Sequence, residues 1–101
     1  MKDIQSKIEK FCEVNSLNAT LESRMLDLVS ELGEFSKEVL KSSEYGQEKP
    51  RFTTEMADEM GDVIYSLITV CNYFGIDMQE TVEGALNKYT LRMQKADKPS
   101  S

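Results

Sequence analysis

Six acidic residues recur at helical spacing in the middle of this 101-residue chain: Glu31, Glu34 and Glu38, then Glu55, Glu59 and Asp62. At roughly 100° per residue, steps of three and four place each trio on one stripe of a helix, with neighbouring Cβ atoms about 5–6 Å apart. Each trio can therefore address one point in space. Two such helices packed antiparallel would turn their acids toward each other across the seam. Carboxylates gathered in this way repel unless a cation lies between them, and a hard divalent ion with oxygen ligands, Mg²⁺ or Mn²⁺, is the fitting counter-charge. The acids belong to an internal echo. Ser30-Glu31-Leu32-Gly33-Glu34-Phe35 matches Asp58-Glu59-Met60-Gly61-Asp62-Val63 at an offset of 28 residues, a whole number of heptads. A glutamate on an amphipathic helix ordinarily does no more than face solvent, and two features set these apart. Gly33 and Gly61 each cost about 1 kcal/mol in mid-helix relative to alanine, a cost that close approach of another helix or a ligand would offset. The acids also lack lysines at i, i+4, because Lys37 and Lys41 fall on another edge of the helix.

Helices must hold these acids in place, and the periodicity is helical nearly throughout. Ile4, Ile8 and Phe11, with Cys12, mark a short first helix ending near Asn15. Ser16, Asn18 and Thr20 offer N-cap side chains for a second helix from Leu21 to about Lys41, with Leu21, Met25, Leu28, Leu32, Phe35 and Val39 as its inward stripe. Ser42 to Phe52, with Gly46 and Pro50, reads as a loop. Thr53 or Thr54 caps a third helix that runs to about Phe74 and stops at Gly75. Its stripe is Met56, Met60, Val63, Leu67, Val70 and Phe74. Asp77 and Glu80 form a capping pair for a fourth helix, which turns Met78, Val82, Ala85, Leu86, Tyr89 and Met93 inward, and residues 96–101 are expected to fray. No strand pattern competes. The expectation is a single all-α domain over 1–101, a bundle-like arrangement of four helices.

Composition removes several functions. Eighteen acidic against twelve basic residues give a net charge of −6, the wrong sign for a nucleic-acid polymer as partner. The longest nearly apolar run, Val63 to Cys71, falls well short of the ~20 residues a membrane span needs. The first residues show no hydrophobic signal core, and Cys12 and Cys71 make no metal or redox spacing, so reduced thiols and a cytoplasmic location are expected. There is no histidine. Histidine-based general bases, the usual serine and cysteine triads, zinc sites that need imidazole and ferritin-like di-iron centres are thereby excluded.

Glu31-x-x-Glu34 followed by Glu59-x-x-Asp62, with 24 residues between, resembles the signature of the MazG-type all-α nucleoside triphosphate pyrophosphohydrolases. The flanking blocks, Glu31-Leu-Gly-Glu34-Phe and Glu59-Met-Gly-Asp62-Val-Ile-Tyr65, are similar to the family's motifs. Asn87-Lys88-Tyr89 with Arg92 resembles its asparagine-lysine-aromatic-x-x-arginine element, so the likeness spans Leu21 to Arg92. One departure is Ser30, where many relatives carry a further glutamate. The resemblance implies that Glu31, Glu34, Glu59 and Asp62 hold Mg²⁺, which holds a triphosphate. Water then attacks the α-phosphorus and gives a nucleoside monophosphate and pyrophosphate. Glu38, one turn beyond Glu34, would orient or deprotonate that water, or else serve as an outer acid. Asn87, Lys88 and Arg92, with Lys37 and Lys41 near the end of helix two, would meet the phosphates, while Lys95 reads as a surface charge. Phe52, Tyr65 and Tyr73 are aromatic candidates for stacking on a base, and the sequence does not choose among them. The implied role is house-cleaning of the nucleotide pool. Related all-α hydrolases of dUTP, dCTP or phosphoribosyl-ATP share the carboxylate logic, and a non-catalytic helical interaction module is the alternative of a different class.

The apolar surface exceeds what one small chain covers. Ile64, Ile68 and Cys71 widen the third helix's face, and Leu26 and Val29 widen the second's. A homo-oligomer, dimer or tetramer, is therefore expected, as the resemblance also implies. The competing arrangement is a compact monomer in which the first helix folds back over the extra face.

Overall fold

A threonine hydroxyl opens each of the two long helices. In the computed structural model, which describes residues 2–97, Thr20 Oγ1 accepts from the Ser23 N–H at 3.1 Å and Thr53 Oγ1 from the Met56 N–H at 3.1 Å. Each bond satisfies a donor that a helix start leaves unpaired. The helices are α1 (Lys2–Val14), α2 (Leu21–Ser42), α3 (Thr54–Tyr73) and α4 (Met78–Asp97), and the described residues contain no strand. Asp77 Oδ1 accepts from the Glu80 N–H at 3.0 Å, the capping expected from the sequence. Gly75, just past α3, takes a φ of +66°, a conformation that side chains beyond glycine rarely adopt. α4 includes Ala96 and Asp97. The expectation for 98–101 lies outside the described residues.

α3 is the central element, with α2 packed along one side and α1 on the other. Both run antiparallel to it. At the loop end, the Arg51 N–H donates to Ser42 Oγ at 3.3 Å. On the α1 side, Gln5 meets Asn72 and Cys12 meets Tyr65. The side chains of Phe11 and Tyr65 pack edge to face, with centroids 6.3 Å apart. This contact shifts the core away from the expected stripe. Ile68, read as part of a surplus face, is fully buried, whereas Leu67 and Phe74 of the expected stripe are exposed. α1 packs on this side of α3 through Gln5, Phe11 and Cys12. On α2, Leu21, Leu28, Phe35 and Val39 are half-buried as expected, but Met25 and Leu32 are exposed.

One polar side chain ties the ends of the domain together. Gln5 is buried; its Nε2 donates to Asn72 Oδ1 at 3.1 Å and to the Ile76 carbonyl at 2.8 Å, and its Oε1 accepts from the Met78 N–H at 2.9 Å. Asn72 Nδ2 in turn donates to the Gln5 carbonyl at 3.0 Å. Truncation would leave buried donors and acceptors unpaired, so Gln5→Ala should cost about 1–3 kcal/mol of stability. An unchanged midpoint of urea unfolding would show the clamp to be idle.

Beyond Met78, α4 finds little cover. Val82, Leu86, Tyr89 and Met93, expected to face inward, are exposed, and Ala85 is half-buried. α2 and α1 pack on α3, and among the described residues nothing covers most of this stripe. The Cα radius of gyration is 17.8 Å, against about 13 Å for a compact chain of this length. The long dimension of 59 Å far exceeds the 22-residue α2, which at ~1.5 Å per residue spans only ~33 Å. The all-α fold is as expected, but a single chain does not close the bundle. Gly33 and Gly61 show the same openness: a Cβ built at either would meet nothing within 4 Å, so the close approach expected there is not made by this chain.

Candidate active site

Register between α2 and α3 is set by apolar contacts: Phe35 lines a groove with Met56, Met60 and Ile64. Glu31, one turn earlier on α2, thereby arrives opposite Glu59 and Asp62. One carboxylate oxygen from each of the three lies within 4.8 Å of the other two, with Glu31 and Glu59 half-buried and Asp62 exposed. Burial first, then the charges of Asp62, Glu31, Glu34 and Glu38, raises the Glu59 pKa above its ordinary value. Glu34 and Glu38 therefore stand within electrostatic reach of Glu59, although outside the tightest trio.

Among the described residues no basic side chain forms an ion pair with this trio. Among the described residues the one ion pair is Lys41 Nζ to Glu38 Oε1 at 3.6 Å, which also corrects the expectation that Lys41 lies on a different edge from the acids. Three converging oxygen donors without such an ion pair fit a hard divalent ion such as Mg²⁺, and they offer nothing a softer metal would prefer.

A recess flanks the trio at each end of the seam. Toward the α2–α3 loop, Glu38, Lys41, Ser42, Arg51, Phe52 and Glu55 line a space of about 330 Å³. Toward the start of α2, a second space of about 330 Å³ is lined by Cys12, Leu17, Asn18, Arg24 and Tyr73 among others. Tyr65, one turn beyond Asp62, stands between this second recess and the acids. Its hydroxyl lies 3.5 Å from Cys12 Sγ. That hydrogen bond, then burial, then the charge of Cys12 raises the phenol's pKa, with Arg24 pulling the other way. Neither Arg24 nor Arg51 stood out in the sequence. For Arg24 a signal existed, since it lies one heptad before Glu31 and so on the same face; for Arg51, in a loop, none did.

The α4 candidates lie elsewhere. Asn87, Lys88 and Arg92 are exposed, and Lys88 Nζ and the Arg92 guanidinium sit 5.8 and 5.7 Å from the Tyr89 ring centroid. None of them forms an ion pair with the acids of its own chain among the described residues. Lys37 is exposed on α2 and lines neither flanking recess. Phe52 and Tyr73 are exposed in opposite recesses, and Tyr65 is half-buried.

Comparison with known proteins bears on this arrangement. The protein YpjD of Bacillus subtilis (strain 168) is 32% identical over 97 residues, covering 91% of this chain and 85% of YpjD. The crystal structure of iMazG from Vibrio DAT 722 superposes with a TM-score of 0.59 at 25% identity, over 87% of this chain and 97% of iMazG. The profile of the MazG nucleotide pyrophosphohydrolase domain matches residues 19–96, which include the whole carboxylate seam. The chain belongs to the MazG nucleotide pyrophosphohydrolase family.

Proposed function

We propose that this protein hydrolyses ribo- or deoxyribonucleoside triphosphates to the monophosphate and pyrophosphate, with Mg²⁺, as a house-cleaning enzyme of the cytoplasmic nucleotide pool. The observation that carries the reading is the convergence of Glu31, Glu59 and Asp62, with no ion pair to a basic side chain among the described residues. Glu34, one turn from Glu31, completes the ligand set. When bound, the ion offsets phosphate charge and acidifies water. Glu38, whose charge acts on Glu59 and which lines the loop-end recess, takes the proton of the attacking water. The water oxygen bonds to the α-phosphorus, the bond from that phosphorus to the α,β-bridging oxygen breaks, and this oxygen leaves with pyrophosphate. Lys37 guides the polyanion from α2. Asn87, Lys88 and Arg92 reach the phosphates from the α4 of a second copy, which would also cover the apolar stripe that α4 exposes.

The direct test is a panel of nucleoside triphosphates with Mg²⁺, scored for pyrophosphate against orthophosphate. Pyrophosphate release that EDTA abolishes is expected; orthophosphate release, or no turnover of any nucleotide, would overturn the reading. Millimolar Mg²⁺ should also raise the melting temperature, because it binds the folded carboxylate cluster and not the unfolded chain. Superimposable melts in Mg²⁺ and in EDTA would remove the metal site.

A further inference from the structure

We infer that Arg51 cradles the leaving pyrophosphate, so that the triphosphate lies along the α2–α3 seam with its terminal phosphates toward the α2–α3 loop. The inference rests on the hydrolase reading above and adds a direction and a residue to it. The loop-end recess joins the acid cluster through Glu38, which lines it and whose charge acts on Glu59. Lys41 lies beyond Glu38 by one helical turn, ~5.4 Å along the axis, so this recess starts where the α-phosphate would sit and leads away from it.

Arg51 is the available cation of that recess. Its backbone is held, since its N–H donates to Ser42 Oγ at 3.3 Å while the buried Ser42 hydroxyl donates to the Val39 carbonyl at 2.7 Å. Glu44 and Glu55 line the same recess, yet among the described residues the Arg51 guanidinium forms no ion pair with any carboxylate. A guanidinium fork on a fixed backbone and without an ion-pair partner among the described residues suits bidentate contact with phosphate oxygens. The opposite recess is unlike it. There Arg24 is engaged, Nη2 donating to the Leu17 carbonyl at 3.0 Å, and Ile8, Leu17 and Tyr73 supply apolar and aromatic surface. That end suits the nucleoside, and the loop end suits the anion.

The test is calorimetric binding of inorganic pyrophosphate in Mg²⁺ to the wild type, Arg51→Ala and Arg51→Lys, alongside steady-state kinetics and binding of a nucleoside monophosphate. Arg51→Ala should weaken pyrophosphate binding by about 10- to 100-fold, the usual loss for a hydrogen-bonded charge. It should raise KM for the triphosphate and leave monophosphate binding unchanged, and Arg51→Lys should recover part of the loss. Its melting curve should match the wild type's, since the side chain is exposed. Pyrophosphate binding and KM unchanged in Arg51→Ala would overturn the cradle while leaving the hydrolase reading intact. A wild type that binds pyrophosphate through Arg51 but turns over no nucleotide would instead remove the hydrolase reading and keep the anion site. A wild type that neither binds pyrophosphate nor turns over would remove both.

Discussion

In Glu59→Gln, pyrophosphate release should fall by about 100-fold or more while the metal-free protein becomes more heat-stable. Both effects have one cause. Glu59 is half-buried among Asp62, Glu31, Glu34 and Glu38, and burial together with those charges raises its pKa. A carboxyl whose pKa is higher folded than unfolded holds its proton more tightly in the folded state. Stability therefore declines as pH rises from the ordinary carboxylate value through the raised one, and the deficit persists at neutral pH. Glutamine keeps the shape and removes the charge, so the deficit disappears and a metal ligand disappears with it. Thermal melts at neutral pH should show the variant above the wild type in EDTA, with most of the Mg²⁺-induced shift gone. Asp62→Asn should lose turnover in the same way. Near wild-type hydrolysis by both variants would sink the site assignment, and a Glu59→Gln melt in EDTA below the wild type's would sink the electrostatic account.

Light scattering at micromolar concentration should find the protein at a multiple of its 11.5 kDa chain mass. Leu26→Glu with Val29→Glu should drive it toward the single chain. Those two side chains are 72% and 66% exposed, and Leu86 and Met93 of α4 are similarly open. Apolar surface returns about 25 cal/mol per Å² when removed from water, and an isologous contact uses the same patch on both copies, so each substitution counts twice. α1 does fold over the Ile68 face, as the monomeric alternative required, but it leaves these α2 and α4 residues uncovered. If a neighbouring α4 supplies Lys88 and Arg92, activity should fall along with the oligomer. A fully active wild type near 11.5 kDa would defeat the claim.

Periodicity carried the helices and their caps, because Thr20, Thr53 and Asp77 act on N–H groups within three residues. It carried the acid cluster for a related reason: Glu59 and Asp62 share a stripe by spacing alone, and the heptad-phased echo brings Glu31 opposite them. Burial was less readable. A stripe shows that a face is apolar and not which neighbour covers it, so Met25, Leu32, Leu67 and the α4 stripe read as inward although they are exposed, and Ile68 reads as surplus although it is buried. Gln5 carried no signal at all. Its burial depends on partners 67 to 73 positions away, and a glutamine on a short helix otherwise resembles any solvated residue.

That long reach sets an order of assembly. The seam between α2 and α3 closes through a short connecting loop, whereas the Gln5 clamp must bring together Asn72, Ile76 and Met78 from the far part of the chain. Closure entropy grows with the logarithm of the loop, and local contacts form sooner than distant ones. The carboxylate seam can therefore take shape on a growing chain once α3 has emerged, before α4 has been synthesised. α1 completes its docking only when Met78 joins the clamp. The carboxylate seam thus rests on the more local contacts of the domain, and α1 settles fully only with the most distant ones.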